Sequence, residues 1–395
     1  MKKTLLATAV AATLGTSFAA IAQSTTVIYG RLYPELVHAR TNSATAPGTA
    51  VATMQGAPTG ETGTVTALEA SNSRLGFRGE EGLGKGLKAI WQIEQTIEVD
   101  QGGGTLASRD TFVGLESETW GTVRLGFMDT VYKDYGDTLS FLGISSGNFV
   151  SISNVLSKSN LSDTSAASFH LRRGNSVKYE SPEWSDFSFG VQYSPDELKT
   201  ATINAYLLAV GVKYEKEPFY FAAAYERHED FFGGSRASRS ALRNNSDPNA
   251  SSRDDAIRLT AQYKFGIHTV EANYARLRYK ESGGQNGRFE KYESDHWGLT
   301  WDARWRGPWR TAVSYSGAND GSCSLLGGVP CTTEGLDGYM IAIGAGYNMS
   351  RRTMLFALAS YLHNGTSALF NNADSITPSV GAAITQIAVG ISHTF

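Results

Sequence analysis

Residues His296 to Trp305 read HWGLTWDARW, placing Trp297, Leu299, Trp301, Ala303 and Trp305 on one side of an extended strand and His296, Gly298, Thr300, Asp302 and Arg304 on the other. Three tryptophans on one side, with Asp and Arg sharing the opposite side, suit lipid outside and water inside. The pattern recurs. Ile257, Leu259, Ala261, Tyr263 and Phe265 alternate with Arg258, Thr260, Gln262 and Lys264; Leu87, Ala89, Trp91 and Ile93 alternate with Lys88, Gln92 and Glu94; Phe187, Phe189, Val191 and Tyr193 alternate with Ser188, Gly190 and Gln192. The polar side is too charged for a packed core.

Sixteen such segments are predicted, at 25–38, 73–80, 86–98, 108–117, 121–128, 172–181, 186–194, 206–215, 218–229, 255–265, 268–280, 295–305, 310–317, 338–347, 353–363 and 384–395. Sixteen is even, as bacterial single-chain barrels require, and large enough to leave an aqueous channel. The expected fold is therefore all-β: a transmembrane antiparallel β-barrel. Connections alternate in length. Short ones such as 81–85, 118–121, 216–217, 266–267 and 306–309 belong to the periplasmic side, and residues 39–72, 230–254 and 318–336 are expected outer loops. The third outer connection, 129–169, is about forty residues long and carries scattered apolar side chains, Phe141, Leu142, Ile144, Phe149 and Ile152. Loops of this length are usually functional, and in a wide barrel the surface available to those side chains is the inner wall. The expectation is that this loop folds inward and narrows the channel.

The first 22 residues look like an address label: Lys2 and Lys3, an apolar stretch from Leu5 to Ala12, and a small-x-small pattern at Ala20–Ala22. The barrel domain is then expected over 23–395. No run of 18 apolar residues follows, which excludes a helical span. With 35 Lys+Arg against 38 Asp+Glu, the chain lacks the basic excess of a nucleic-acid binder. Its 42 glycines and its 18 tyrosines and 18 phenylalanines point to β-structure with tight turns. The 2 cysteines, Cys323 and Cys331, fall in one expected outer loop, where an oxidising compartment permits a local disulfide.

Putting Leu32, Leu75, Phe77, Val123, Leu125, Val177 and Tyr179 on lipid turns Arg31, Glu35, Arg74, Arg78, Arg124, Arg172 and Lys178 inward. Opposite them are expected Asp129, Asp134 and Asp137 of the folded-in loop. Such an arrangement sets a transverse field across a narrow watery gap.

In this order, TVIYGRLY (Thr26 to Tyr33), SRLGFRGEEGLGKGLKAIWQIE (Ser73 to Glu94), RDTFVGLESETWGTVRLG (Arg109 to Gly126), RRGNSVKYESP (Arg172 to Pro182), YNMSRRTMLF (Tyr347 to Phe356) and the terminal VGISHTF resemble the Gram-negative general porins of the β-proteobacterial and neisserial group. The resemblance covers essentially the whole chain after residue 22. It implies sixteen-stranded barrels of the outer membrane, assembled as homotrimers with the third outer loop folded into each pore, passing ions and small hydrophilic solutes. It implies no cofactor, and lipopolysaccharide and outer-membrane lipid as surroundings. Phe395, closing an alternating last strand, resembles the signal read by the outer-membrane insertion machinery. Two positions depart from the family pattern: Tyr33 where a charged residue is usual, and Phe127 where Arg is common.

Competing motifs are weaker. Gly79 to Gly86 nearly spells a phosphate-binding loop but joins two predicted strands, and Gly86 replaces the Ser/Thr that would hold magnesium. Gly143-Ile-Ser145-Ser-Gly147 has nucleophile-elbow spacing without a following helix pattern. The seven histidines are dispersed with no metal-binding spacing. A plugged receptor, which needs about 22 strands, and an outer-membrane hydrolase remain as alternatives.

Overall fold

The computed structural model describes residues 24–60, 63–70, 72–139, 141, 148–162, 165–199 and 203–395. The expected leader and the Gly143–Gly147 pentapeptide lie outside them, as do Leu142 and Ile144. The strands are β1 (Ser24–Leu32), β2 (Glu35–Asn42), β3 (Thr64–Glu69), β4 (Arg74–Gly84), β5 (Leu87–Thr96), β6 (Thr111–Ser117), β7 (Gly121–Asp129), β8 (Arg172–Glu180), β9 (Phe187–Lys199), β10 (Asn204–Lys216), β11 (Phe219–Glu229), β12 (Ser251–Phe265), β13 (His268–Ser282), β14 (Phe289–Arg304), β15 (Trp309–Ala318), β16 (Ser322–Leu325), β17 (Gly338–Asn348), β18 (Thr353–Asn364) and β19 (Ala383–Thr394). Among the described residues, three short α-helices, α1 (Val131–Gly136), α2 (Ser153–Leu156) and α3 (Gly233–Ala237), lie in the connections.

These segments make sixteen staves. β1 and β2 are one stave interrupted at Tyr33-Pro34, where proline supplies no N–H to the ladder. β3 and β4 are its neighbour, and β16 is a short loop strand laid against β14. All pairings are antiparallel, and β19 returns to β1 and β2, closing the ring. Phe395 seals it. Its N–H donates to the Gly30 carbonyl at 3.1 Å and its carbonyl accepts from Gly30 N–H at 3.2 Å. A side chain at position 30 would meet this seam: a Cβ there lies 2.4 Å from Phe395 Cζ and 2.8 Å from the Arg74 carbonyl. Gly30→Leu is expected to destabilise closure by about 1–3 kcal/mol. The measurement is the temperature at which the folded band disappears on a gel; an unchanged temperature would refute the seam.

Several expected boundaries need correction. Residues 39–42 and 64–69 are strand rather than loop, and β12 and β14 begin at Ser251 and Phe289 instead of 255 and 295. These extensions run beyond the apolar belt, where alternation loses its apolar half. Cys323 and Cys331 are joined to each other in the 319–337 loop. Mass spectrometry of an unreduced digest should recover the two peptides linked; alkylation of both thiols without reduction would contradict the bond.

Outside, Ile257, Leu259, Leu299, Val313, Ile341 and Ile343 form an exposed aliphatic band. Phe219, Phe221, Tyr263, Phe265, Trp301, Trp305, Trp309 and Tyr347 border it at the short-turn end, and Tyr225, Tyr274, Trp297, Tyr315, Tyr339 and Tyr361 towards the long loops. These are the two interfacial girdles of a membrane barrel. The arc from β1 to β7 instead presents mainly aliphatic side chains, among them Ile28, Leu36, Leu68, Val113, Leu115 and Leu125. At the long-loop end, Met54, Leu161, Leu242, Leu325 and Leu336, from four different connections, are buried in one cluster. Backbone bonds tie the connections together: Thr53 N–H to Thr332 O at 3.1 Å, Arg239 N–H to Met54 O at 2.9 Å and Leu369 N–H to Asn160 O at 2.9 Å.

Candidate functional site

The segment after β7 lies against the polar side of the wall. Thr130 caps α1, its hydroxyl accepting from Lys133 N–H at 3.3 Å. Inward glycines on adjacent staves, Gly190 and Gly211, leave the hollow that α1 occupies. A Cβ on Gly190 would come within 2.8 Å of the Tyr135 hydroxyl, and one on Gly211 within 3.0 Å of Val131. Wall side chains then grip the backbone. Arg258 Nη2 donates to Gly136 O at 2.6 Å, the Tyr220 hydroxyl to Tyr135 O at 2.6 Å, His296 Nδ1 to Val155 O at 2.8 Å, and the Tyr279 hydroxyl to Ala167 O at 2.5 Å. Phe141, Phe149, Val150 and Val155 are buried against Tyr33, Val37 and Ala312 of the wall.

Charges sort into two groups. On the segment, each expected acid has a partner. Asp129 meets Lys133 at 2.7 Å and Arg172 at 3.0 Å. Asp134 meets Lys178, and Asp137 meets His170 at 3.0 Å and Arg258 at 3.5 Å. Asp129 is also the last residue of β7 rather than part of a free loop. Arg172 Nε reaches Asp110 at 2.5 Å, and Arg124 pairs with Glu180. A bulge between Gly126 and Met128 places Phe127 near Gly174 and lets Asp129 and Arg172 stand opposite each other. Burial and the neighbouring Asp129 push the Asp110 carboxyl up, with Arg172 pulling the other way. Burial and Lys133 hold the His170 imidazole below its ordinary value against the pull of Asp137.

Among the described residues, Arg31, Arg74 and Arg78 form no ion pair with these acids. Arg31 donates to Ser392 Oγ at 3.0 Å and lies 4.3 Å over the Tyr33 ring. Arg78 lies 5.1 Å over Tyr29, and Arg74 is 3.8 Å from Glu94. Arg109 holds Glu94 at 2.5 Å, and the Tyr29 hydroxyl donates to it at 3.0 Å. Glu35 is only 1% exposed and accepts from Asn148 at 3.1 Å, so the segment covers it. Glu94, Arg109, Asp110, Arg258 and Arg310 were not singled out from sequence. Arg310 pairs with Asp302 at 2.8 Å and lies 4.8 Å over Phe141. Their signal was present, a charge on the polar side of an alternating stave, but alternation does not say which partner each meets: Arg109 and Arg310 meet acids of adjacent staves, whereas Arg258 meets Gly136 and Asp137 of the segment.

A closed ring of staves with an apolar belt outside and charged side chains around its lumen is a membrane channel by construction. Comparisons with known proteins agree. A family profile described as Gram-negative porin matches residues 7–367. A major outer membrane protein P.IB of Neisseria lactamica is 27% identical over 300 residues, covering 75% of this chain and 78% of that protein. An outer membrane porin protein of Bordetella pertussis is 25% identical over 355 residues, covering 82% and 83%. Among solved structures, an anion-selective porin from Comamonas acidovorans superposes with a TM-score of 0.69 at 20% identity, covering 94% of this chain and all of that one. OmpF of Salmonella typhi superposes with a TM-score of 0.59 at 16% identity, covering 94% and 97%. The chain belongs to the Gram-negative porin family. It is a multi-pass β-barrel of the outer membrane, a channel for passive diffusion of ions and small hydrophilic solutes.

Proposed function

We propose that the 129–169 segment sets the narrow point of this channel and that the pore prefers anions. The carrying observation is the unequal neutralisation of charge. Asp129, Asp134 and Asp137 are each met by a cation, whereas Arg74 and Arg109 share the one carboxylate of Glu94. Arg31 and Arg78 have no ion-pair partner among the described residues. Unpaired guanidinium groups lining water lower the barrier for anions and raise it for cations.

The same reading takes residues 1–22 as a removable leader and the chain as a channel rather than a catalyst. It makes Phe395 the handle for the insertion machinery, with lipopolysaccharide around the outer half. It also makes the unit a homotrimer, packed through the β1–β7 arc, because aromatic girdles serve a lipid boundary and that arc largely lacks them. The test is single-channel recording in a planar bilayer under a salt gradient. Steps in threes and a reversal potential of anion-selective sign are expected; cation-selective steps would refute the charge assignment, and steps of one unit the trimer.

A further inference from the structure

Between the short turns and the cluster of Arg74, Glu94 and Arg109, apolar side chains stand on the lumen side of the wall. Cross-strand register sets Val27, Arg78, Gln92 and Phe112 side by side in one row, and Thr25, Glu80, Ile90, Gly114, Arg124 and Lys178 in the next. Lys178 reaches Asp134 of the segment, so its row faces the lumen. The first row lies two residues along from it on each strand and faces the same way. Val27 is 44% exposed, although its side of the stave meets channel water rather than lipid. Ile90 and Phe112 are half-buried near it.

Gly114, between Ile90 and Arg124, adds no side chain to the floor. A cleft of about 370 Å³ opens there, and Val27, Arg78, Glu80, Ile90, Phe112 and Arg124 are among the residues lining it. Its charges are unequally satisfied. Arg124 is paired with Glu180 and lies 5.3 Å over the Phe112 ring, and Glu80 is met by Lys88 at 3.2 Å. Arg78 lies 5.1 Å over Tyr29, with no ion-pair partner among the described residues. Setting the two arginines and Lys88 against Glu80 and Glu180 leaves one positive charge, that of Arg78. The cleft thus offers one unsatisfied guanidinium beside a water-exposed apolar surface.

We propose that this cleft is a solute subsite for small aromatic monocarboxylates, on the periplasmic side of the narrow point. The inference rests on the anion-channel reading above and names the class of anion. A carboxylate fits because Arg78 offers a fork of donors to its two oxygens and supplies the one charge left over. One carboxylate fits better than a phosphate or a dicarboxylate, since Glu80 and Glu180 repel a second negative charge. A flat ring fits the rest of the cleft: Phe112 offers a partner for offset or edge-on stacking, and Val27 and Ile90 take its margin away from water. Mostly apolar walls with a few placed polar groups are the usual make-up of a small-molecule site. Inorganic anions gain the Arg78 contact alone.

The test is single-channel recording of the full assembly in chloride, with benzoate, acetate or neutral benzamide added as blocker. Benzoate is expected to interrupt the current at a concentration about tenfold lower than acetate, through burial of its ring. Benzamide is expected to leave the current unbroken. R78Q is expected to raise the half-blocking concentration of benzoate about tenfold, the loss of one charge-assisted pair. The combined V27S and I90S substitutions are expected to bring benzoate to within about twofold of acetate, a change that loss of charge does not produce. This second variant keeps the test decisive if R78Q assembles poorly. Equal block by benzoate and acetate in the wild type, block by benzamide equal to that by benzoate, or wild-type block by benzoate in both variants overturns the proposal, and anion-selective steps in the same records leave the channel reading standing. Cation-selective steps, or none, overturn that reading and the proposal with it.

Discussion

Arg74→Ala is expected to shift the permeability ratio towards cations by about two- to fivefold and to raise single-channel conductance. The Arg74 side chain is 32% exposed, and its one ion pair among the described residues is with Glu94, at 3.8 Å, a carboxylate that Arg109 already holds at 2.5 Å. Its charge is therefore offered to the channel water rather than spent within the wall. A unit charge acting over roughly 8 Å at an effective dielectric near 20 is worth about 2 kcal/mol before screening, and salt at physiological strength reduces that to about 1 kcal/mol or less. One such increment multiplies a permeability ratio by the stated factor. Truncating the side chain also widens the path. Reversal potentials in a salt gradient measure the first effect and step size the second; a variant indistinguishable from wild type in both would place Arg74 away from the narrow point. Arg172 is a different case. It braces Asp110 and Asp129 at once, so its removal exposes two carboxylates and loosens the root of the segment, mixing selectivity with structure.

Arg258→Ala is expected to release the segment from the wall while leaving the barrel intact. This guanidinium is 1% exposed and serves Gly136 O, Asn273 Oδ1 and Asp137 together. The Arg258 guanidinium also fills the space a Cβ on Gly136 would need, so the helix end and the clamp are fitted to each other. Removing one partner of a buried charged network costs on the order of 3–5 kcal/mol, because the Gly136 carbonyl loses its donor and Asp137 keeps only His170. That cost falls on α1 rather than on β12, whose backbone pairs with β11 and β13 over its whole length. Limited trypsin digestion of the folded protein should then cut after Lys133 or Lys158, and single-channel traces should become noisier and larger. Arg258→Lys should behave much like alanine, since one ammonium cannot span the same acceptors. Resistance to trypsin equal to wild type, with quiet steps of normal size, would show that the clamp is dispensable.

Much of this architecture is legible in the residues. Trp297, Leu299 and Trp301 lie outward and His296, Thr300 and Asp302 inward, as strand alternation and a two-solvent environment require. Sixteen staves followed from the same rule. What alternation misses lies where one of its two solvents is absent. Residues 251–254 and 289–294 are strand projecting past the lipid, so the outer side is polar and the apolar-out period disappears. Within the lumen, alternation says that Arg258 or Arg74 points inward but not what it meets: Glu94 stands on β5, the stave beside Arg74, whereas Gly136 is brought to Arg258 by the segment after β7. Gly190 and Gly211 were the overlooked clue: inward glycines on adjacent staves mark a place where other backbone comes close.

The buried cluster shared by Met54, Leu161, Leu242, Leu325 and Leu336 bears on how the cell surface is seen from outside. Because several connections complete one another's core, the face they present is a composite of distant stretches of sequence, held only while all are in place. Antibodies raised against the intact barrel are then expected to recognise discontinuous determinants that no single-loop peptide reproduces. Diversifying one loop under immune pressure is tolerated at its exposed tip and resisted at its buried leucine or methionine, where neighbouring loops would have to change with it.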